Sequence, residues 1–182
     1  MGENREAYTL NVAGLRRELP ICPVNDKLDI AAFVMFSDVE LTIACARELL
    51  KIVPAHEVLI TAESKGIPLA YEMSRQSGKR YLLARKSKKL YMKDVVEVAV
   101  RSITTANLQS LYMDAGDMEY LKGKKVLLVD DVISTGESIK ALEQLVEQAG
   151  GVVVGRAAVL AEGEAAQRED IIFLEPLPLF FK

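Results

Sequence analysis

The strongest constraint on the fold is an uninterrupted aliphatic run that leads directly into two acids. Residues 124–138 read KKVLLVDDVISTGES. A short run of this kind is typical of a strand buried on both faces of a parallel sheet. The residues after it repeat apolar side chains at helical spacing and reach Gly150 and Gly151, where a helix is expected to end. The stretch therefore predicts a strand, a turn and a helix in that order.

Strands and helices alternate along the rest of the chain as well. A helix is predicted from about Asp38, a strand over residues 58–61, and a second helix with Pro68 in its first turn and Gly78 at its end. Further strands are expected in the segments RYLLA, VVVGRAAVLA and IIFLEPLPLF. This alternation predicts an α/β fold with a mainly parallel sheet. A length of 182 residues suits one domain with a buried core.

Two segments lack a clear period. Residues 1–36 contain two prolines among scattered apolar residues and are expected to form an irregular N-terminal cap. Residues 104–124 are interpreted as a hairpin arm and loop, with LQSLYM as a returning strand. Three polar residues are assigned to the solvated surface: His56, Glu162 and Glu164.

Composition excludes several classes of partner. The chain is 50% hydrophobic and 27% charged with a net charge of −3, so no nucleic-acid partner is expected. No apolar run approaches the ~18 residues that cross a bilayer, so no membrane partner is expected. The first residues are polar and charged, which argues against a signal peptide and favours a cytoplasmic location.

The acidic stretch also carries chemistry. In an open parallel sheet, ligands bind beyond the carboxyl ends of the strands, where Asp130 and Asp131 are expected. The free N–H groups at the start of the next helix favour an anion, and Gly136 lets the backbone approach it. Carboxylates repel phosphate but accept hydrogen bonds from sugar hydroxyls or hold a metal. The local pattern alone allows either a sugar-phosphate site or an ordinary turn with a capped helix.

The complete stretch resembles the motif that binds 5-phosphoribosyl-1-pyrophosphate (PRPP) in type I phosphoribosyltransferases. The shared pattern is four apolar residues, two acids, two aliphatic residues and S-T-G-x-S. TAESKGIPLAYE resembles the pyrophosphate-binding loop of the same family, and ARKSKKLY resembles a basic segment of its adenine-specific members. The resemblance covers residues from about 38 to 160. It implies a Rossmann-like α/β fold with a core over residues 37–169, and a small hood built from residues 1–36 and about 170–182.

The resemblance also implies an activity. A purine base, adenine in the first instance, would displace pyrophosphate from PRPP in the presence of Mg²⁺ to give a nucleoside 5′-monophosphate. The catalytic residues would be Asp130, Asp131, Lys65 and Arg85, with the two acids on the ribose hydroxyls and on the metal through water. The full set implied to bind PRPP is Glu63, Ser64, Lys65, Gly66, Arg85, Lys86, Asp130, Asp131, Val132, Ile133, Ser134, Thr135, Gly136, Glu137 and Ser138. Residues 102–116 would cover the site as a mobile arm, and a homodimer is expected.

The sequence leaves the base open. Hypoxanthine-guanine members of the family carry an acid where this chain has Ser134, which favours the adenine branch. The arm and the hood differ from the adenine-type pattern, so xanthine or another base is the alternative substrate. A regulator that senses PRPP without catalysis, and a protein that only binds a sugar phosphate, are the two non-enzymatic alternatives. The pairing of a pyrophosphate-type loop with Arg85 and Lys86 argues against the last of these.

Overall fold

The computed structural model describes residues 7–101 and 108–182. Alternating strands and helices fill the middle of the chain, as the sequence predicts, and both ends are extended. In chain order the elements are β1 (Ala7–Val12), β2 (Leu15–Asn25), β3 (Leu28–Ala31), α1 (Val39–Ile52), β4 (Val58–Ala62), α2 (Ile67–Ser77), β5 (Arg80–Ala84), β6 (Val96–Arg101), β7 (Leu108–Met113), α3 (Ala115–Leu121), β8 (Lys125–Ile133), α4 (Glu137–Gln148), β9 (Val152–Glu162), a short 3₁₀ helix (Gly163–Gln167), β10 (Ile172–Leu177) and β11 (Leu179–Phe181).

A five-stranded parallel sheet forms the centre of the fold, with the strand order β10-β9-β8-β4-β5. Successive side chains of a strand point to opposite faces, and both faces of this sheet are covered. Ile60 and Leu128 pack with α4 and the β6–β7 hairpin on one face. Leu59 and Leu127 pack with α1, α2 and the terminal strands on the other. This confirms the α/β fold with a parallel sheet between helices.

Local signals account for the helix ends. Asp38 caps α1 by accepting a hydrogen bond from the Leu41 N–H at 3.0 Å. Pro68 lies in the first turn of α2, and Gly78 ends that helix in the left-handed conformation. The first turn of α4 follows Gly136 without a side-chain cap. The start of α4 therefore keeps backbone donors available for a ligand.

The prediction of an irregular N-terminal cap is wrong for the described part of that segment. Strands β1, β2 and β3 join β11 in an antiparallel sheet, here called the terminal sheet. The two prolines of β2 argue against a strand at the sequence level, because proline rarely occurs inside a paired strand. Pro20 pairs with Ala7, the first residue of β1, and Pro23 lies at a register shift against β3. Both therefore occupy positions where the ladder ends or is already interrupted.

The segment after β5 holds a second departure from the sequence prediction. LQSLYM is a returning strand, as predicted, and pairs with β6. However, α3 lies where a loop is predicted, capped by Asp114, which accepts a hydrogen bond from the Gly116 N–H at 3.2 Å. Two helical turns containing a glycine are too short to give a clear period. Residues 102–107, part of the predicted arm, lie outside the described residues.

His56 is buried, so the prediction of a surface histidine is wrong. Its side chain is 6% exposed, and Nδ1 lies 2.9 Å from the Pro54 carbonyl oxygen. Burial lowers the pKa of this histidine, which favours the neutral ring. It lies just before β4, and no local pattern in the sequence indicates that it is buried. Among the described helices, none combines the length and the apolar character needed to cross a membrane.

Candidate active site

Asp130 and Asp131 lie inside β8, three and two residues before its end at Ile133, and do not terminate the strand as the sequence suggested. Asp131 is 3% exposed, and its Oδ2 accepts no hydrogen bond from the described residues. Asp130 is half-buried, and its Oδ1 accepts the Asp131 N–H at 2.9 Å. Burial, followed by the negative charge of Asp131, raises the pKa of Asp130. Asp131 therefore presents an acceptor oxygen without a partner among the described residues, and Asp130 lies beside it near the carboxyl end of the central strand.

The turn after the acids carries backbone donors and hydroxyl groups that suit an anion, and it is here called the phosphate loop (residues 134–138). Ser134 and Thr135 are exposed, and Gly136 adopts φ +78°, which favours glycine. A cavity of about 40 Å³ lies within this loop. Its lining residues are Asp130, Val132, Ile133, Ser134, Thr135, Gly136, Glu137, Ser138 and Ile139. Uncapped N–H groups and a helix dipole at such a cavity suit a phosphate.

The loop after β4 lies directly against the acids. This anion loop (residues 63–66) follows the strand that pairs with β8, and its Glu63–Ser64 peptide is cis. A Cβ on Gly66 would lie 2.3 Å from Thr61 Oγ1 and 3.2 Å from Asp130 Oδ1. Lys65 Nζ lies 3.9 Å from Asp131 Oδ2. Neighbouring parallel strands thus bring a glycine-lined turn and a lysine to the two carboxylates.

The basic segment after β5 is tied to the same loop through Glu63. Arg85 Nη1 donates to Glu63 Oε1 at 2.8 Å, and the Lys86 N–H donates to Oε2 at 3.0 Å. The Lys86 N–H and the Arg85 guanidinium hold the pKa of Glu63 below its usual value. Arg85 also contacts the Tyr91 hydroxyl. Glu63 therefore orients the Arg85 guanidinium and fixes the backbone at Lys86, which the sequence alone did not indicate.

Two further charged residues reach the site. Glu162 is half-buried at the end of β9, so the prediction that it is solvated is wrong, whereas Glu164 is exposed as predicted. Burial raises the pKa of Glu162, and the charge of Lys65 acts in the opposite direction. Arg168 lies against Gly136, with Nη1 2.5 Å from the position of a Cβ on that glycine. Sequence spacing gave no sign of the second contact, because it joins residues far apart in the chain.

The acids have the chemistry of a partial Mg²⁺ site. Mg²⁺ prefers oxygen ligands, binds through one or two carboxylates and retains several waters or substrate oxygens. Asp131 offers a buried oxygen without a hydrogen-bond partner among the described residues, and Asp130 adds a second carboxylate. Within the described ranges, no group of three His, Cys, Asp or Glu side chains is suited to a metal ion. The residues therefore fit a metal that takes most of its ligands from substrate and water.

The site and the fold together define a class of protein. Residues 41–176 match the family described as the phosphoribosyl transferase domain, which spans most of the chain. The chain belongs to the phosphoribosyltransferase family and is a transferase. The match includes the whole parallel sheet and omits β1, β2, β3 and β11.

The chain is similar to proteins whose names give a purine base as the substrate. An adenine phosphoribosyltransferase from Rhodococcus opacus is 33% identical over 135 residues, which cover 74% of each chain. A hypoxanthine/guanine phosphoribosyltransferase from Methanocella paludicola is 32% identical over 106 residues, which cover 58% of this chain and 52% of the relative. The crystal structure of adenine phosphoribosyltransferase from Thermoanaerobacter pseudethanolicus superposes with a TM-score of 0.63 at 22% identity, covering 76% of this chain and 80% of that one.

Proposed function

We propose that the protein transfers the phosphoribosyl group of PRPP to a purine base, with adenine as the preferred base. The observation that carries the proposal is the contact between the anion loop and the acid pair. A Cβ on Gly66 would lie 3.2 Å from Asp130 Oδ1, and Lys65 Nζ lies 3.9 Å from Asp131 Oδ2. Acceptors for a sugar and cations for a pyrophosphate therefore lie side by side, as PRPP requires.

Each part of PRPP has a candidate binding segment. The phosphate loop would hold the 5′-phosphate through its backbone N–H groups and hydroxyls. Asp130 and Asp131 would accept hydrogen bonds from the ribose hydroxyls. Lys65, Arg85 and Lys86 would face the pyrophosphate, with Ser64 and Gly66 supplying close backbone contacts. Glu63, which repels an anion, would act by orienting Arg85 and Lys86.

The reaction is a displacement at the anomeric carbon of the ribose. A ring nitrogen of the base forms a bond to this carbon as the bond to the pyrophosphate oxygen breaks, and the sugar passes through an oxocarbenium-like state. The imidazole proton of the base is released to water. Fixed cations at the leaving group and fixed acceptors at the hydroxyls lower the barrier by orientation and charge stabilisation. Mg²⁺, held by Asp130 and Asp131 directly or through water, would supply further charge neutralisation for the leaving pyrophosphate.

The charge of Glu162, at the carboxyl end of the parallel sheet, favours adenine over a 6-oxopurine. Adenine presents an amino group that donates hydrogen bonds, and Glu162 offers a half-buried carboxylate at the end of β9. The similarity to the adenine phosphoribosyltransferase from Rhodococcus opacus supports the same choice. Hypoxanthine or guanine is the second candidate, supported by the relative from Methanocella paludicola.

A base panel tests the activity. Purified protein is incubated with Mg²⁺, PRPP and one of adenine, hypoxanthine, guanine, xanthine, orotate or uracil, and nucleotide formation is followed by chromatography. We expect product with adenine at the highest rate, and a smaller preference for adenine over hypoxanthine in Glu162→Gln. Glu164→Gln, an exposed glutamate two residues further on, serves as the matched control. Binding of PRPP without product from any base would instead support a PRPP-sensing regulator.

Location and assembly belong to the same proposal. A cytoplasmic enzyme fits the buried Cys45, a free thiol whose pKa burial raises to about 12. A homodimer fits the exposed aromatic Phe181 of the terminal sheet. Sedimentation of the purified protein would test the dimer, and a monomer at micromolar concentration would contradict it.

A further inference from the structure

Arg168 is held in a fixed orientation beside the phosphate loop. The residue follows the 3₁₀ helix, and its N–H bonds to the Ala165 carbonyl at 3.1 Å. Its side chain forms a two-point contact with Asp170, from Nε at 2.8 Å and from Nη2 at 2.7 Å. A planar guanidinium bound in this way cannot rotate freely, so its third nitrogen has a defined direction.

That third nitrogen is directed at Gly136. Nη1 lies 2.5 Å from the position that a Cβ on Gly136 would occupy, and the guanidinium carbon lies at 3.7 Å. The hydrogen bonds found among the described residues do not involve Nη1. The guanidinium therefore packs on the one residue whose left-handed backbone shapes the phosphate loop.

The motif that contains the phosphate loop has no cationic side chain of its own. Residues 126–138 contain three acids and no lysine or arginine. Asp130 and Asp131 precede the loop, and Glu137 lies within it, so their charges oppose a bound phosphate. Within the motif only backbone dipoles and hydroxyls favour an anion. Arg168, 32 positions beyond Gly136, places a guanidinium nitrogen against the loop, with part of its charge balanced by Asp170.

We propose that Arg168 is a positioning residue for the 5′-phosphate. It holds the loop in its anion-binding shape through Gly136 and offsets the acidic residues around the bound phosphate. Asp170 has the supporting role of fixing the guanidinium plane. The inference rests on the proposed binding of PRPP, but it concerns only the phosphate end of the ligand and not the base.

The test compares Arg168→Gln with Arg168→Lys and with a matched control, Arg156→Gln. Arg156 also lies near Asp170, at 4.0 Å, and contacts Glu143, but it is not within 4 Å of the Gly136 Cβ position. Ribose 5-phosphate binding is measured by calorimetry at low and high salt, and steady-state kinetics are measured with PRPP. Thermal unfolding of each variant shows whether it is folded.

We expect Arg168→Gln to weaken ribose 5-phosphate binding about tenfold, as for loss of one hydrogen bond or charge contact to a charged group. Arg168→Lys should recover part of that loss, because it restores the charge without the planar fork. The KM for PRPP should rise by a similar factor with kcat within about twofold. The salt dependence of binding should be weaker in Arg168→Gln than in the wild type.

Three results would overturn the proposal or separate it from the proposed function. Unchanged ribose 5-phosphate affinity in Arg168→Gln, or an equal loss in Arg156→Gln, would overturn the role of Arg168. A folded wild type that does not bind ribose 5-phosphate would overturn both this role and the phosphate site. Weakened binding in Arg168→Gln from a protein that turns over no base would support Arg168 while refuting the transferase proposal.

Discussion

The parallel sheet and the terminal sheet follow different rules. The parallel sheet is covered on both faces, and its strands β4 and β8 read as continuous aliphatic runs. The terminal sheet is covered on one face, so buried and exposed residues alternate in β1 and β2. The family match includes the first sheet whole and only part of the surrounding chain. The residues proposed to bind PRPP all lie in the last residues of β8 or in loops that follow strands of the parallel sheet, whereas the terminal sheet has no assigned ligand.

This difference suggests that the parallel sheet and the terminal sheet have different roles. A sheet buried on both faces fixes its strand ends, so loops after β4, β5 and β8 keep a common geometry. A sheet that is covered on one face only tolerates more substitutions on its exposed face. We therefore expect changes at the parallel-sheet edge to affect PRPP, and changes at the terminal sheet to affect stability or base choice. The four predictions below test this separation, from the largest expected effect to the smallest.

Loss of the acid pair should have the largest effect. The double variant Asp130→Asn, Asp131→Asn keeps the shape of both side chains but removes the charged acceptors. We expect turnover to fall on the order of 100-fold, since each hydrogen bond to a charged group contributes roughly 1.5–3 kcal/mol. Initial rates with saturating adenine measure this, and exposed Asp26→Asn in the terminal sheet is the control. Unchanged turnover and PRPP affinity would refute the assigned role of the acids.

A methyl group on Gly66 should disturb both stability and binding. Its Cβ would lie 2.3 Å from Thr61 Oγ1, so Gly66→Ala is expected to cost about 1–3 kcal/mol of unfolding free energy and to abolish stabilisation by PRPP. Gly116→Ala is the matched control, because the nearest contact there is 3.7 Å away. Urea unfolding with and without PRPP measures both effects. Adding Thr61→Ala should recover part of the stability, and failure to do so would contradict the steric explanation.

Asp130 should make the ligand-free protein more stable in acid. Its pKa is raised by burial and by Asp131, so its contribution is fully present below the unfolded pKa and is lost as pH rises through the folded value. Asp130→Asn should therefore raise Tm by about 4 °C at pH 7.5. The difference from wild type should vanish below about pH 4. A pH series of thermal melts without Mg²⁺ measures this, and a lower Tm of the variant at pH 7.5 would contradict it.

Asp38 should show the opposite pH dependence at the terminal sheet. Arg17 of β2 donates to Asp38 at 2.7 Å and holds the pKa of that carboxyl below its usual value. Its contribution is therefore present above the unfolded pKa and is lost as pH falls through the folded value. Asp38→Ala should lower Tm by about 2 °C at pH 7.5 through loss of the cap and the ion pair.

Asp38→Asn separates these two contributions, because asparagine still caps the helix. It should lose less stability than Asp38→Ala and leave the KM for PRPP unchanged. A large rise in that KM would show that the two sheets are not functionally separate.

Much of the fold was predictable from single segments. The spacing of apolar residues and the positions of proline and glycine act within a few residues, and they predict most of the central elements. These are the strands β4, β5, β8 and β9 and the helices α1, α2 and α4. Strands β1 to β3 were not predicted, because their pairing depends on partners elsewhere in the chain. Helix α3 was missed because seven residues give too short a period.

The sequence by itself determined the parallel sheet and the motif residues 126–138, because burial on two faces and a tight turn each demand particular residues in order. Only the tertiary structure decided the neighbours of that motif. In the folded chain Gly66 lies close to Asp130, and Lys65 lies close to Asp131. Glu63 accepts a hydrogen bond from Arg85, and Glu162 is half-buried. Arg168 packs against Gly136. These contacts join residues far apart in the chain, and side-chain charge and shape at such distances leave no periodic pattern in the sequence.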